Sequence, residues 1–236
     1  GVTAENVAAR YAVPRDAQDA FAAESQARAA RAIREGRFRD QILPIAVQRK
    51  RETVAFDTDE HPKDTSAEDL AKLRPAFSKT GSVTAGNASG VNDGAAALII
   101  ASEEAGKRHG LTPRARIVGS AAAGVAPRVM GFGPAPSTQK LLARLGMTIG
   151  QMDVIELNEA FASQGIACMR QLGVADDADF VNPHGGAIAL GHPLGASGTK
   201  LMATLVHALH ARGGRYGLQT MCEGGGIANV TIIERV

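Results

Sequence analysis

The chain has 236 residues, 44% of them hydrophobic and 21% charged, which is ordinary globular composition with room for one large core or two smaller ones. A net charge of +2 and an aromatic content of 4% without tryptophan argue against nucleic acid or membrane as partners. The two cysteines form neither a disulfide framework nor a zinc-ligand spacing, so we expect no metal and a reducing, cytoplasmic compartment.

The first part of the chain predicts one helix followed by irregular structure. Apolar residues recur at near-helical spacing over 14–36, which predicts a helix that ends at Gly36. Residues 41–80 predict only short extended pieces separated by a charged loop. Residues 80–94 are rich in glycine and poor in large apolar side chains, which indicates either a flexible linker or a backbone shaped around a ligand.

From residue 95 onward, predicted strands and helices alternate. The predicted strands cover residues 95–102, 115–122, 153–157, 179–182, 215–222 and 228–236. The predicted helices cover residues 102–108, 137–146, 159–173 and 196–214. This alternation predicts an α/β fold in layers, and the short glycine turn between the last two strands predicts that they are antiparallel.

Polar residues at strand ends and in glycine-rich loops are the candidates for chemistry. Asn158 follows the strand over 153–157, where ligands gather in open α/β sheets, although an asparagine there also serves as a helix N-cap. His184 and His192 lie in the glycine-rich loop 182–198, which leads into a helix N-terminus and so favours a phosphate or an oxyanion. The other four histidines lie in charged or helix-surface contexts and are interpreted as structural.

The two cysteines differ in their surroundings. Cys168 lies in the middle of a predicted helix and is most simply a small buried apolar residue. Cys222 ends a predicted strand and is followed by three glycines, whose unhindered N–H groups could form an oxyanion hole beside the thiol. A thiol near a histidine suits nucleophilic or acid–base catalysis.

Four segments, in this order, resemble the thiolases: VTAGNASGVNDGAAA, NEAFA, GGAIALGHPLGASG and CEGGG. These enzymes are acetyl-CoA acetyltransferases and 3-ketoacyl-CoA thiolases. The resemblance implies a layered α-β-α sandwich and assigns residues 1–91 to a partial loop domain. It assigns residues 92–112 to the last strand and helix of an N-terminal half, and residues 113–236 to the C-terminal domain.

The resemblance also implies a nucleophilic cysteine upstream, and neither Cys168 nor Cys222 matches that position. We therefore expect acyl transfer only together with an N-terminal half, and no activity from this chain alone. His192 would take the proton of that nucleophile, and Cys222 would act as the second, acid–base cysteine. Asn158 would position a water for the enolate oxygen, and Gly224 would donate its N–H to a second oxyanion hole.

The same resemblance assigns substrate contacts and assembly. Ser89 and Ala85 would line the pantetheine channel, while Phe77, Met130 and Phe161 would form an apolar wall near the thioester. Coenzyme A is then a substrate, with no further cofactor, and the expected assembly is a homo-oligomer, a dimer of dimers. The segment RVMGFGP resembles degradative thiolases, including those that act on β-ketoadipyl-CoA. His184 and Ile227 stand where relatives vary, and we expect neither to carry chemistry.

Two other functions remain to be weighed against acyl transfer. A thiolase-like protein that binds coenzyme A or lipid without catalysis would have no need of His192, Cys222 and Asn158 together. A dinucleotide-binding oxidoreductase is disfavoured because no G-x-G-x-x-G follows a strand.

Overall fold

The computed structural model describes residues 1–236, which form eight α-helices and six strands. The helices are α1 (Val2–Arg10), α2 (Arg15–Arg34), α3 (Ala67–Ala71), α4 (Glu103–Arg108), α5 (Pro134–Leu145), α6 (Ala162–Gln171), α7 (Ala187–Leu190) and α8 (Ser197–Arg212). The strands are β1 (Ile45–Arg49), β2 (Glu52–Phe56), β3 (Ala115–Gly124), β4 (Val154–Leu157), β5 (Tyr216–Glu223) and β6 (Ile227–Arg235).

A four-stranded mixed sheet with the order β3-β6-β5-β4 organises the second half of the chain. Strand β6 is antiparallel to both of its neighbours, β3 and β5, as the short turn between the last two strands predicted. Strands β4 and β5 are parallel, with Leu157 opposite Thr220. The ends of β4 and β5 therefore meet at one edge of the sheet, where the candidate residues Asn158 and Cys222 follow or end these strands.

Helices cover both faces of this sheet, which confirms the predicted α-β-α layers. On one face, apolar residues of α5 and α6 pack against alternate residues of the central strands, with Leu141, Met169 and Leu218 among the buried residues. On the other face, Leu205 and Leu209 of α8 pack against Val154 and Ile233. Burying alternate residues on opposite faces is what a strand between two helical layers requires.

Residues before the sheet attach to it through helices α1 and α2. Val7 of α1 packs with Val129 and Ile166 in a separate buried cluster. The Arg28 guanidinium of α2 donates to the carbonyls of Ala178 and Val181, at 3.1 Å and 2.5 Å. The predicted helix over 14–36 is thus confirmed as α2, and Gly36 follows it with φ of +69°.

Two predicted strands are wrong. Residues 95–102 form no regular secondary structure and pair with no strand, and Ile99 and Ile100 are 84% and 77% exposed. The reason is that no neighbouring strand lies beside this run to bind its backbone N–H and C=O groups. The run over 179–182 makes a single bridge, between Val181 and Ile155, because the Asn182 side chain takes over the next contacts by bonding both the N–H and the C=O of Leu157.

The helix predicted from residue 159 begins later, at Ala162, with Phe161 as its N-cap. The interpretation of Asn158 as a helix N-cap is therefore wrong. Its side chain is left available for a contact outside the helix.

Candidate active site

Asn158 is placed by the end of the buried strand β4. All four residues of β4 are buried, and the backbone N–H of Asn158 donates to the carbonyl of Thr220 on β5 at 3.1 Å. The carbonyl of Asn158 accepts from the amide of Gln164 at 3.1 Å. With its backbone fixed at both groups, Asn158 directs its side-chain Nδ2 to Nε2 of His192, at 3.3 Å.

The backbone around His192 is held by the glycine-rich loop over 80–94. The His192 N–H is shared between the carbonyl of Gly90, at 3.1 Å, and Oδ1 of Asn92, at 3.3 Å. Gly191 has φ of +85°, and a Cβ there would lie 2.4 Å from Asn92 Oδ1. Only glycine therefore allows the two loops to approach this closely. The glycine-rich segment is a shaped backbone rather than a flexible linker.

The hydrogen-bond network assigns the tautomer of His192. The Ser197 hydroxyl donates to the carbonyl of Pro193 at 2.9 Å, so toward Nδ1 of His192, at 2.5 Å, it acts as the acceptor. The ring proton is then on Nδ1, and Nε2 carries a lone pair that faces the Asn158 amide. Burial, and then the charge of Lys200, lowers the pKa of His192 below its ordinary value. At neutral pH this imidazole is an uncharged base with Nε2 as its basic atom.

Cys222 lies near the end of β5 and is almost fully buried, with 7% of its surface exposed. Burial raises the pKa of the Cys222 thiol to about 11, so it keeps its proton at neutral pH. A buried, protonated thiol of this kind can donate a proton to a carbanion. It acts as a base only when a nearby charge stabilises its thiolate form.

The glycines after Cys222 have different roles. Gly225 and Gly226 have φ of +80° and +92°, and a Cβ on Gly226 would lie 2.3 Å from the carbonyl oxygen of Val125. Gly224 does not need a glycine conformation, and a Cβ there would meet nothing within 4 Å. The Cβ side of Gly224 therefore borders open space.

The structure brings two of the proposed catalytic residues into contact and places a third at the same edge of the sheet. Asn158 and His192 touch, and their side chains form one hydrogen-bonded chain with Ser197. Cys222 lies two residues after Thr220, whose carbonyl accepts from the Asn158 N–H. Cys222 and Asn158 therefore lie at the same edge of the sheet. No hydrogen bond joins Cys222 to His192.

Three of the proposed substrate contacts lie together. The rings of Phe77 and Phe161 meet edge to face, with centroids 6.2 Å apart. The N–H of Ser89 donates to the carbonyl of Ala160 at 3.0 Å, next to Phe161. Ala85 is an exposed residue of the same loop, whereas Met130 lies in a short 3-10 helix, Pro127–Phe132, that packs against α6.

Sequence reasoning missed the groups that hold the site. Asn92 and Ser197 bond His192 directly, and both lie within glycine-rich segments that the sequence had already marked. Glu159 is buried and accepts from Ser25 and Asn182, each at 2.7 Å, which fixes the loop before α7. Its position next to Asn158 at a strand end was the available signal.

Other titratable groups lie away from these contacts. His184 packs edge-on against Phe38, with ring centroids 5.9 Å apart, and its buried Nδ1 has no partner. Burial, and then nearby arginines including Arg37, lowers the pKa of His184 to about 4. No cluster of three histidine, cysteine or acidic side chains is arranged to hold a metal ion. None of the helices combines the length and apolar character needed to cross a membrane.

Family models match almost the whole chain: the thiolase N-terminal domain over residues 1–104 and the thiolase C-terminal domain over 111–235. The chain belongs to the thiolase family. This assignment confirms the resemblance inferred from the four sequence segments.

Individual thiolases are similar to the chain along its whole length. A β-ketoadipyl-CoA thiolase of Pseudomonas aeruginosa is 58% identical over 99% of the chain and 59% of the relative. An acetyl-CoA acetyltransferase structure from Bacillus anthracis superposes with a TM-score of 0.96 at 46% identity, covering all of the chain and 60% of that structure. The human mitochondrial 3-ketoacyl-CoA thiolase in complex with CoA superposes with a TM-score of 0.91 at 45% identity, over all of the chain and 58% of that structure. The chain thus spans about 59% of the length of these relatives.

Proposed function

We propose that the chain supplies the acid–base part of a thiolase centre that cleaves 3-ketoacyl-CoA thiolytically or, in reverse, condenses acetyl-CoA. The observation that carries the proposal is the hydrogen-bonded series Ser197–His192–Asn158, which favours a neutral imidazole with its lone pair on Nε2. A protein that only bound coenzyme A would not need a base prepared in this way.

In the cleavage direction, His192 takes the thiol proton of a nucleophilic cysteine supplied by the part of the protein upstream. The proton moves to Nε2, and the resulting thiolate attacks the keto carbonyl of the substrate. The bond between the α and β carbons then breaks, and its electron pair becomes the enolate of acetyl-CoA. The enolate carbon takes the proton of Cys222, whose thiol is protonated at neutral pH. Free coenzyme A then gives its thiol proton to Cys222, and its thiolate attacks the acyl group. The upstream cysteine leaves as a thiolate and takes its proton back from Nε2 of His192.

Two groups of donors would stabilise the negative oxygens in these steps. The Asn158 side chain, whose buried Oδ1 has no partner, would hold a water that donates, together with His192, to the enolate oxygen. The N–H of Gly224, whose Cβ side is open, would donate to the oxygen of the tetrahedral intermediate. One such donor contributes about 3–4 kcal/mol to lowering the barrier.

The proposed substrates are coenzyme A thioesters, with coenzyme A itself as a substrate and no additional cofactor. The edge-to-face pair of Phe77 and Phe161, beside Ser89, would contact the thioester end, with Met130 completing the apolar wall and Ala85 along the pantetheine channel. The 58% identity to a β-ketoadipyl-CoA thiolase and the segment RVMGFGP favour 3-ketoacyl-CoA of the β-ketoadipyl type. We further propose a cytoplasmic protein that assembles as a dimer of dimers, with the domain boundaries given by the resemblance.

The Cys222→Ser variant tests the division of roles, in a protein that includes the upstream segment its relatives carry. We expect condensation of acetyl-CoA to fall by about 10² to 10⁴-fold, because the acid–base thiol is lost. The upstream cysteine should still accept an acetyl group, seen as a mass increase of the protein after incubation with acetyl-CoA.

The 236-residue chain alone is the matched control and should show neither acyl-enzyme nor cleavage of acetoacetyl-CoA in an assay of thioester absorbance. Turnover by that chain, or a Cys222→Ser protein that cannot be acylated, would refute the proposed roles.

A further inference from the structure

Lys200 is a cation in an unfavourable place. It lies in the first turn of α8, where the helix dipole disfavours positive charge and where the helix itself contributes no acidic residue. Burial lowers the pKa of Lys200, and the ammonium forms no salt bridge within 4.0 Å. A local conflict of this kind in an otherwise consistent fold is expected at a functional position.

The ammonium of Lys200 instead binds the backbone that leads into His192. Its Nζ donates to the carbonyl of Gly191 at 2.9 Å and to that of Leu190 at 3.4 Å. Gly191 directly precedes His192, and Ser197, which accepts from Nδ1 of His192, lies one turn before Lys200 on the same helix. The first turn of α8 therefore holds both the imidazole and the backbone just before it.

We propose that Lys200 is a positioning residue of the thiolase site, which fixes the His192 loop through two carbonyls and places a positive charge near the imidazole. This inference rests on the proposed role of His192 as a base. A cation close to an imidazole disfavours its protonation, so Nε2 remains able to take a proton at a lower pH.

The charges that face this group come from several elements. Asp59, Glu156 and Glu159 act on the Lys200 ammonium, and Asp59 also faces His61 in the loop before α3. Burial, and then the charge of Glu159, raises the pKa of Glu156 well above its usual range, which weakens its ability to cancel the ammonium. The pKa of His192 is lowered first by burial and then by the charge of Lys200, and no other charged group contributes to this shift.

Three substitutions separate the charge of Lys200 from its hydrogen bonds. Lys200→Arg keeps both, Lys200→Gln keeps an N–H donor without charge, and Lys200→Met keeps neither. The matched control is Lys140→Met, because Lys140 also donates to a backbone carbonyl, that of Ala122 at 3.0 Å, but on the surface. Thermal unfolding of each variant shows which of them fold.

The readout is deuterium exchange at the imidazole Cε1 of His192, followed by mass spectrometry of its peptide across pH. We expect the midpoint of the His192 profile to move to higher pH in Lys200→Met and Lys200→Gln, and to stay in place in Lys200→Arg and Lys140→Met. In the protein with its upstream segment, the acid limb of kcat/KM should move in the same direction. There kcat should fall about tenfold in Lys200→Met with KM unchanged, because the loop is less well placed.

An unchanged His192 midpoint in folded Lys200→Met and Lys200→Gln would overturn the inference, whatever the activity. The proposed function fails on a different result, namely absence of thiolysis by the unsubstituted protein with its upstream segment. The exchange measurement does not use the reaction, so the two failures are distinguishable.

Discussion

Residues 154–157 and residues 97–100 are both short, mostly apolar runs, yet the first is buried and the second lies largely on the surface. The residues of β4 are all buried, pair with β5 along their whole length and are covered by α8 on one face. In the second run, Ile99 and Ile100 are 84% and 77% exposed and have no partner strand. An apolar run therefore becomes a strand only where a neighbouring backbone satisfies its N–H and C=O groups.

The largest expected difference between β4 and residues 97–100 is in the free energy of unfolding. Leu157→Ala removes a buried side chain of β4 and should lower the free energy of unfolding by about 2–5 kcal/mol, because it leaves a cavity beside Asn158. Ile99→Ala changes an exposed side chain and should stay within about 0.5 kcal/mol. Urea unfolding of the 236-residue chain measures both. Equal losses for the two variants would mean that residues 97–100 are packed like β4.

A smaller effect concerns how stability depends on pH through His184, in the loop over 182–192. The pKa of His184 is lowered to about 4, so the unfolded chain binds a proton there at a higher pH than the folded chain. His184 therefore reduces stability as the pH falls from about 6.5 to about 4, and has no such effect above 6.5. His184→Leu should make this loss shallower, measured as urea midpoints at several pH values. An identical slope in the variant would show that His184 is not buried as an uncharged ring.

Much of the fold could be predicted from the sequence because its signals are local. The helix α2 ends where Gly36 supplies a left-handed conformation, and the last two strands pair across the glycine turn after Cys222. The strand over 179–182 could not be excluded, because its replacement by the Asn182 side chain depends on a partner 25 residues away. The fate of residues 97–100 likewise depends on which strands lie beside them.

The site was predictable in its main residues and not in its supporting contacts. The four sequence segments marked Asn158, His192 and Cys222 as candidates, and the structure places the first two in contact. The roles of Ser197 and Lys200 depend on the fold of the loop before α8, which returns the His192 ring and the Gly191 carbonyl to the first turn of that helix. No spacing in the sequence indicates how that loop turns back.

The central claim is that His192, Cys222 and Asn158 act on one bound thioester. A crystal structure of the protein with its upstream segment and acetyl-CoA tests this most directly. We expect Nε2 of His192 and Sγ of Cys222 each within about 4 Å of the acetyl group. We also expect a water held by Asn158 at the carbonyl oxygen of that acetyl group. Acetyl-CoA bound with Cys222 and His192 opening into separate cavities would contradict the account.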